Sequence, residues 1–364
     1  MQEANHIFTG TGSIEAFAAF IREAPQRYSS IFILTDSNTR KHCLPLLGDK
    51  FMLPENTVIM EVEPGEKSKS FLACTRLWSE MAMHGADRHS LLICLGGGVV
   101  CDLGGFIAST FQRGINFVYL PTTLLAQVDA AIGGKTGVNL CNLKNYVGTF
   151  SQPKAIFIFT EFLLSLPFDE LLAGYAEVIK HALLSSANTF RKLAGRFPGI
   201  DSVRECGNWD SVVSHSVSIK SKVVKVDFQE KGLRKILNFG HTVGHAFESH
   251  SLENGSYPLP HGFAIAMGMI AELKLSVAFA GLDERFCNEV SDYLLSLFPF
   301  YSFEPGQIPE IIHLMGFDKK NQAGEIKVVL MQSPGDLLTN VACSKQEIEL
   351  CLNQYLEMGR QHSA

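Results

Sequence analysis

No two of the nine cysteines are spaced C-x-x-C; they fall at positions 43, 74, 94, 101, 141, 206, 287, 343 and 351. A scattered, odd set excludes a disulfide framework and a zinc ribbon, and predicts reduced thiols in a cytoplasmic chain. The start, "MQEANHIFTG", lacks a basic segment followed by an apolar run, so no secretory signal is expected. Long apolar runs are missing too. The best, "GFAIAMGMIAELKLSVAFAG", is interrupted by Glu272 and Lys274, and no membrane span is expected. Positive charge is not in excess: the net charge is −6 and the pI about 6.1, so nothing global favours nucleic acid or an anionic membrane. Internal repeats and low-complexity tracts are absent. What is there is an ordinary globular composition, 46% hydrophobic and 19% charged, over 364 residues, enough for one large or two ordinary domains.

The periodicity differs between the two halves. Up to about residue 160, short β-rich runs alternate with helical patterns: "IFILT" (31–35), "TVIME" (57–61), "LLICL" (91–95), "NFVYL" (116–120) and "AIFIF" (155–159). Continuous apolar strands between helices predict an α/β domain with a mostly parallel sheet, whose ligands bind at the carboxyl ends of strands. Beyond that point helices dominate, predicted over 169–186, 209–226, 241–250, 261–280 and 284–298. One late run, "EIKVVLM" (325–331), reads as a short strand or hairpin. The expected organisation is an α/β domain over 1–160 and a mainly helical domain over 161–364, joined where Pro153 and Pro167 punctuate the chain.

"LLICLGGGVVCDLGG" runs from a strand through Gly96, Gly97 and Gly98 into a helix. Without Cβ atoms such a turn lets backbone approach a pyrophosphate, and the helix N-terminus favours an anion. The spacing is not G-x-G-x-x-G, and no acid follows the second strand where that fingerprint places one, so the sheet is Rossmann-like without the standard signature. Two more polar clusters follow strands: "PGEKSK", with Glu66 and Lys69, and "LPTTLLAQVDAAIGGKTGVNL", with Thr122, Thr123, Asp129 and Lys135. Three such clusters past three strand ends converge on one edge of a parallel sheet.

The stretch "LNFGHTVGHAFES" places His241 and His245 one helical turn apart, on one face. It is not H-E-x-x-H, so it is not a zincin helix. His261 opens the next helix in "LPHGFAIAMG", and Glu177 sits inside the otherwise apolar "AGYAEVIKHALL", where an unpaired carboxylate is costly to bury. A glutamate and two histidines suit a divalent, zinc-like ion with positions left for substrate oxygens. The spacing leaves open whether His241 or His245 is the second histidine, and it also allows a four-ligand site using both. Lys180, Lys220, Arg234 and Asn238 cluster beside these candidates in sequence and suit an anionic substrate.

Taken together, "GGGVVCDLGGF", "FQRG", "PTTLLAQVDAAIGGKTGVN", "KNYVGTFSQP", "AGYAEVIKHA", "GLRKILNFGHTVGHAFE" and "LPHGFAIAMGM" closely resemble the 3-dehydroquinate synthase family, in order, from about residue 36 to 330. The resemblance implies an NAD-binding α/β domain, a helical metal- and substrate-binding domain and an active site in the cleft between them. It implies zinc or cobalt on Glu177, His241 and His261, with His245 facing the substrate. Asp36 and Asn38 match adenosine-ribose positions, Glu66 and Lys69 cofactor positions, and Gly97, Gly98, Val99 and Asp102 the pyrophosphate wrap. Thr122, Thr123, Lys144 and the segment from Phe162 to Ser165 complete the implied NAD site. Asp129, Lys135, Asn145, Lys180, Lys220, Arg234, Asn238 and His245 match substrate-contacting positions. Arg113 in "FQRG" matches an arginine that reaches the neighbouring subunit's substrate, which implies a homodimer; Lys319 or Lys320 of "DKK" joins the set. Two departures stand out: Leu143 where the family has glycine, and Ser165 where it has threonine.

The implied reaction converts 3-deoxy-D-arabino-heptulosonate 7-phosphate to 3-dehydroquinate and phosphate, a shikimate-pathway step, by transient oxidation with NAD, phosphate elimination, reduction and intramolecular aldol closure. The rivals are other sugar-phosphate cyclases (valiolone- or inosose-type), a metal-dependent alcohol or glycerol dehydrogenase, and an inactive homologue kept for binding.

Overall fold

The computed structural model describes residues 6–141, 143–254, 258–316 and 326–362. Lys319 and Lys320 lie outside the described residues. The chain folds as two units, residues 1–174 with 207–221, and residues 175–206 with 222–364.

The first unit is built on six parallel strands: β1 (His6–Phe8), β2 (Ile31–Asp36), β3 (Val58–Val62), β4 (Leu91–Gly96), β5 (Asn116–Pro121) and, after a hairpin described below, β8 (Ala155–Phe157). Their order is β1-β8-β5-β4-β2-β3, every pairing parallel. β4 is buried at every residue and β2 at all but its last, the signature of strands covered on both faces. On one face Phe17 and Ile21 of helix Thr11–Arg27 join Phe51, Ile93, Phe157 and Phe159; the Phe17 and Phe51 rings meet edge to face at 4.9 Å. Each such side chain contributes about 1.5–3 kcal/mol by leaving water. On the other face lies helix Gly98–Thr110. A Cβ at Gly104 would stand 2.4 Å from the Cys94 Sγ and one at Gly105 2.1 Å from the Tyr119 hydroxyl, so only glycine lets this helix lie flush on the sheet.

The chain passes from β2 outward to β3, then returns to the far side of β2 for β4 and continues to β5. The direction reverses between β2 and β4, and the crevice beyond their carboxyl ends is where open α/β sheets bind ligands. Asp36 ends β2 and Gly96 ends β4.

Two hairpins lie outside this sheet, the first of them unforeseen and the second the strand or hairpin expected at 325–331. β6 (Lys135–Leu140) and β7 (Leu143–Phe150) pair antiparallel, with Gly137 opposite Gly148. Their residues carry polar and glycine positions without the apolar alternation of a strand, because β7 is largely exposed and has little to bury. The late run is one arm of a second hairpin, β9 (Ile326–Ser333) with β10 (Asp336–Cys343).

Among the described residues, the second unit is helical apart from that hairpin. At its centre lies helix His261–Ala280, with Ile265, Met267, Met269, Ile270, Leu273 and Leu275 fully buried. The expectation that no segment is long and apolar enough to span a membrane is corrected here: this helix passes on length and composition, with a mean hydropathy of 1.7. It is 72% buried within the protein, and a helix apolar all round is what a protein core needs.

Candidate active site

In the first unit, the groups past the strand ends meet around Lys69. Lys69 is 3% exposed, and its ammonium donates to the Asp102 carboxylate at 2.8 Å and to the Asn145 side-chain oxygen. Glu66 stands 3.6 Å from Lys69 and accepts from the Asn139 amide at 2.8 Å, while the Asn139 side-chain oxygen accepts the Asn145 N–H. Burial pushes the Asp102 carboxyl above its usual range, and the Lys69 charge opposes that shift. Lys69, expected at the cofactor, and Asn145, expected at the substrate, therefore belong to one hydrogen-bonded network. Asn139 was not singled out from sequence; its place on β6 beside Glu66 is a product of the hairpin.

The glycine turn is sterically tight. Gly97 precedes helix Gly98–Thr110, and a Cβ there would sit 3.0 Å from the Thr123 methyl; one at Gly98 would sit 3.3 Å from the Ala130 Cβ. Val99 is in the first turn of that helix. Asp36 caps helix Ser37–His42: its Oδ1 accepts the Thr39 N–H at 2.8 Å, and the Thr39 hydroxyl oxygen accepts the Asp36 N–H at 3.0 Å. Asn38 is exposed in that helix's first turn. At the end of β5, the Thr122 hydroxyl is buried with no hydrogen-bond partner among the described residues, while Thr123 caps the following turn by accepting the Ala126 N–H at 3.1 Å. Phe162 is buried, and the Ser165 hydroxyl donates to the Phe162 carbonyl at 3.2 Å. An orphaned hydroxyl beside a tight glycine turn at a helix N-terminus fits a dinucleotide's phosphates and ribose.

Asp129 lies in a π-helical turn, Ala126–Ala130, a distortion that often marks functional sites. Lys220 of helix Asp210–Val226 donates to its carboxylate at 2.6 Å and to its backbone carbonyl at 2.7 Å. Lys135 and Lys144 are exposed on the β6–β7 hairpin. Arg113 is exposed in a turn where Gln112, Arg113 and Gly114 all have positive φ, at 52°, 69° and 114°. Two consecutive non-glycine residues in that region store strain at the site of the display.

In the second unit, Glu177 is 1% exposed on helix Phe168–Ser185. Lys180, equally buried, faces its carboxylate as an ion pair, yet neither Glu177 oxygen has a well-angled hydrogen bond among the described residues. Its Oε1 lies 3.7 Å from the His241 Nε2. The donor nitrogens of His241, His245 and His261 lie within 4.8 Å of one another. The His241 Nδ1–H donates to the Phe239 carbonyl at 3.2 Å, which leaves the Nε2 lone pair towards Glu177. A buried carboxylate short of partners, beside converging imidazoles with one nitrogen already tied, is the donor set of a divalent ion.

The approach of His241 to His261 has a steric cause. Helix His241–Asn254 and helix His261–Ala280 cross at glycines: a Cβ on Gly268 would stand 2.1 Å from the Gly240 carbonyl and 2.5 Å from the Gly244 nitrogen. Upstream, the Asp227 carboxylate accepts the N–H groups of Gly232 at 2.7 Å, Lys231 at 3.0 Å and Arg234 at 3.1 Å, which holds its pKa low. Arg234, 2% exposed, donates to the Phe228 carbonyl at 2.5 Å, and Asn238 donates to Glu230 at 2.6 Å. Glu230 and Asp227 were missed from sequence because charged residues in a loop carry no periodicity.

The family descriptions "3-dehydroquinate synthase N-terminal" and "3-dehydroquinate synthase C-terminal" match residues 59–173 and 174–321. The 3-dehydroquinate synthase of Parabacteroides distasonis is 40% identical over 333 residues, 91% of this chain and 92% of that protein. Among solved structures, a 2-deoxy-scyllo-inosose synthase complexed with carbaglucose-6-phosphate, NAD+ and Co2+ superposes with a TM-score of 0.83 at 22% identity, covering 97% of both chains. The 2-epi-5-epi-valiolone synthase of Streptomyces hygroscopicus, with NAD+ and Zn2+ bound, gives 0.81 at 24%, covering 98% of both. At these identities the structures speak for a shared fold, while the two family matches together span most of the sequence. The chain belongs to the 3-dehydroquinate synthase family.

Proposed function

We propose that the chain converts 3-deoxy-D-arabino-heptulosonate 7-phosphate to 3-dehydroquinate and phosphate, using NAD catalytically and a divalent metal. The observation that carries this reading is the convergence of His241, His245 and His261, with Glu177 3.7 Å from His241, in a chain of this family. The NAD+ and Co2+ or Zn2+ in the two related cyclases support the choice of cofactors. When bound, NAD accepts and returns one hydride while the divalent ion polarises substrate oxygens, so oxidation, phosphate elimination, reduction and aldol closure proceed with no net redox change.

The chain's own residues bind, orient and neutralise. Glu177, His241 and His261 hold the ion, and His245 faces the substrate as a proton carrier. Lys180, Lys220, Arg234 and Lys135 meet the substrate's phosphate and carboxylate, with Asn145 and Asn238 hydrogen-bonding its neutral oxygens. Asp129 holds the Lys220 ammonium in place, its carboxylate at 2.6 Å. Asp36, Asn38, Glu66, Lys69, Gly97, Gly98, Val99, Asp102, Thr122, Thr123, Lys144, Phe162 and Ser165 hold NAD. Arg113, exposed on its strained turn, reaches a second copy of the chain, making the active form a homodimer. Nine free cysteines support a reducing, cytoplasmic setting.

The test is phosphate release from the heptulosonate 7-phosphate with zinc and catalytic NAD, while absorbance is followed for NADH. Phosphate and dehydroquinate appearing together without NADH accumulation is the expected result. NADH formed from simple polyols, with no phosphate released, would move the assignment to a dehydrogenase.

A further inference from the structure

Helix His241–Asn254 carries a third polar group on its histidine face. Glu248 stands one turn beyond His245 and two turns beyond His241, so all three project from the same side. Its Oε2 lies 3.1 Å from the Nδ1 of His261, and its side chain is only 13% exposed. A carboxylate in a nearly dry position accepts the Nδ1–H of the ring. That fixes the tautomer with the lone pair on Nε2, adds negative charge to the imidazole, and locks the ring about its Cβ–Cγ bond. His241 is tied through its own Nδ1 to the Phe239 carbonyl, so each of these two rings has one nitrogen committed to the protein. His261 is the first residue of its helix and has no preceding helical turn to restrain it; Pro260 stands at the N-cap. The restraint comes from the neighbouring helix.

We infer that Glu248 is a positioning residue for His261, setting the direction and basicity of its Nε2 for a divalent ion. This rests on the metal reading above. An ordinary ion pair at this place would stabilise the fold but leave metal affinity untouched, and that difference makes the proposal testable.

The experiment uses the full chain, stripped of metal and titrated with Co2+ and with Zn2+, in the parent, Glu248→Gln, Glu248→Ala and His261→Ala forms. Affinity is read by calorimetry and the visible cobalt bands by absorbance, with the thermal midpoint of each metal-free form and its NAD affinity measured alongside. Glu248→Ala is expected to weaken metal binding about 10- to 100-fold and to shift the cobalt bands, with NAD affinity unchanged. Glu248→Gln, which still accepts the Nδ1–H but carries no charge, is expected to recover at least half of that loss on a logarithmic scale. Affinity within twofold of the parent in Glu248→Ala, with unshifted bands, would overturn the proposal. So would a Glu248→Ala loss matched by Glu248→Gln and by a collapse of the metal-free melting temperature, since that pattern marks a fold-stabilising group. If His261→Ala binds metal as tightly as the parent, the metal reading itself is wrong and the Glu248 role falls with it.

Discussion

The Glu272 carboxylate accepts the Gly240 N–H at 2.7 Å. The same group accepts the N–H groups of Thr242 at 3.1 Å and Val243 at 3.3 Å. A residue that interrupts the long apolar run of helix His261–Ala280 thus caps the helix that begins at His241. Glycine at 240 has no side chain to do this, and the positive end of the helix dipole favours a carboxylate. Glu272 lies on the same face of its helix as His261 and Gly268, so one stripe of helix His261–Ala280 carries a metal-ligand candidate, the crossing point and the cap.

Replacing Glu272 by alanine leaves these buried N–H groups without that acceptor. We expect a loss of about 3 kcal/mol or more in urea unfolding of the metal-free protein. Glu272→Gln recovers little, because its amide must turn donors towards donors. A loss under about 1 kcal/mol would rule out the capping role.

Gly268→Ala forces a Cβ to within 2.1 Å of the Gly240 carbonyl, so the two helices must separate. The expected cost is about 1–3 kcal/mol in stability. Metal affinity should fall at least tenfold, because His241 and His261 sit on opposite sides of that crossing. Unchanged metal titration would mean that the crossing does not set the spacing of the histidines.

Glu177→Ala should abolish metal binding and turnover while NAD affinity stays within a few-fold of the parent. Both this variant and Glu177→Gln remove the counter-charge of the buried Lys180 ammonium, but Glu177→Gln keeps the volume and an acceptor oxygen and is the cleaner companion. Full activity in either variant would remove Glu177 from the ligand set.

Lys69→Met removes the cation that opposes the upward shift of the Asp102 carboxyl. The Asp102 pKa should climb further, and NAD binding should weaken about tenfold or more and become steeper with pH on the acid side. Isothermal titration across pH checks this; a parental profile would show that the Lys69 network does not serve the cofactor.

Asp227 governs an acid limb. Its pKa lies below the ordinary 3.8, held there first by the Gly232 N–H and then by those of Lys231 and Arg234. A lowered folded-state pKa means the stabilisation is fully present above the ordinary value and is lost as pH falls through the lowered one. Asp227→Asn should therefore melt below the parent at about pH 7, and the gap should close only as pH falls below 3.8 and through the lowered folded-state value. A gap that persists at low pH would assign the effect to something other than the carboxylate.

Much of this was readable in advance where periodicity is strong. The strands at 31–36, 91–96 and 116–121 were foreseen because parallel strands covered on both faces must be continuously apolar. Helices were foreseen at 241–250 and 261–280, and the first runs on to Asn254. The β6–β7 hairpin was not, since its exposed residues carry little hydrophobic signal; with it went Asn139, which joins Glu66 to the Lys69 network. Helices Ala187–Arg196, Ile308–Gly316 and Lys345–His362 were not among the expected helices, although their apolar spacing was present.

The sequence by itself determined the fold class, the family and the chemical inventory: a glycine turn after an apolar strand, lysines and arginines suited to an anionic substrate, and histidines together with a glutamate inside an apolar helix. These depend on residue type and short-range spacing, which a linear chain carries in full. Which groups touch was decided by tertiary structure. Glu272 reaching the N-terminus at Gly240, Glu248 reaching His261, and Gly268 passing flush over Gly240 all join separate helices. Such pairings arise from interhelical distance and side-chain direction, set only when the helices pack against one another.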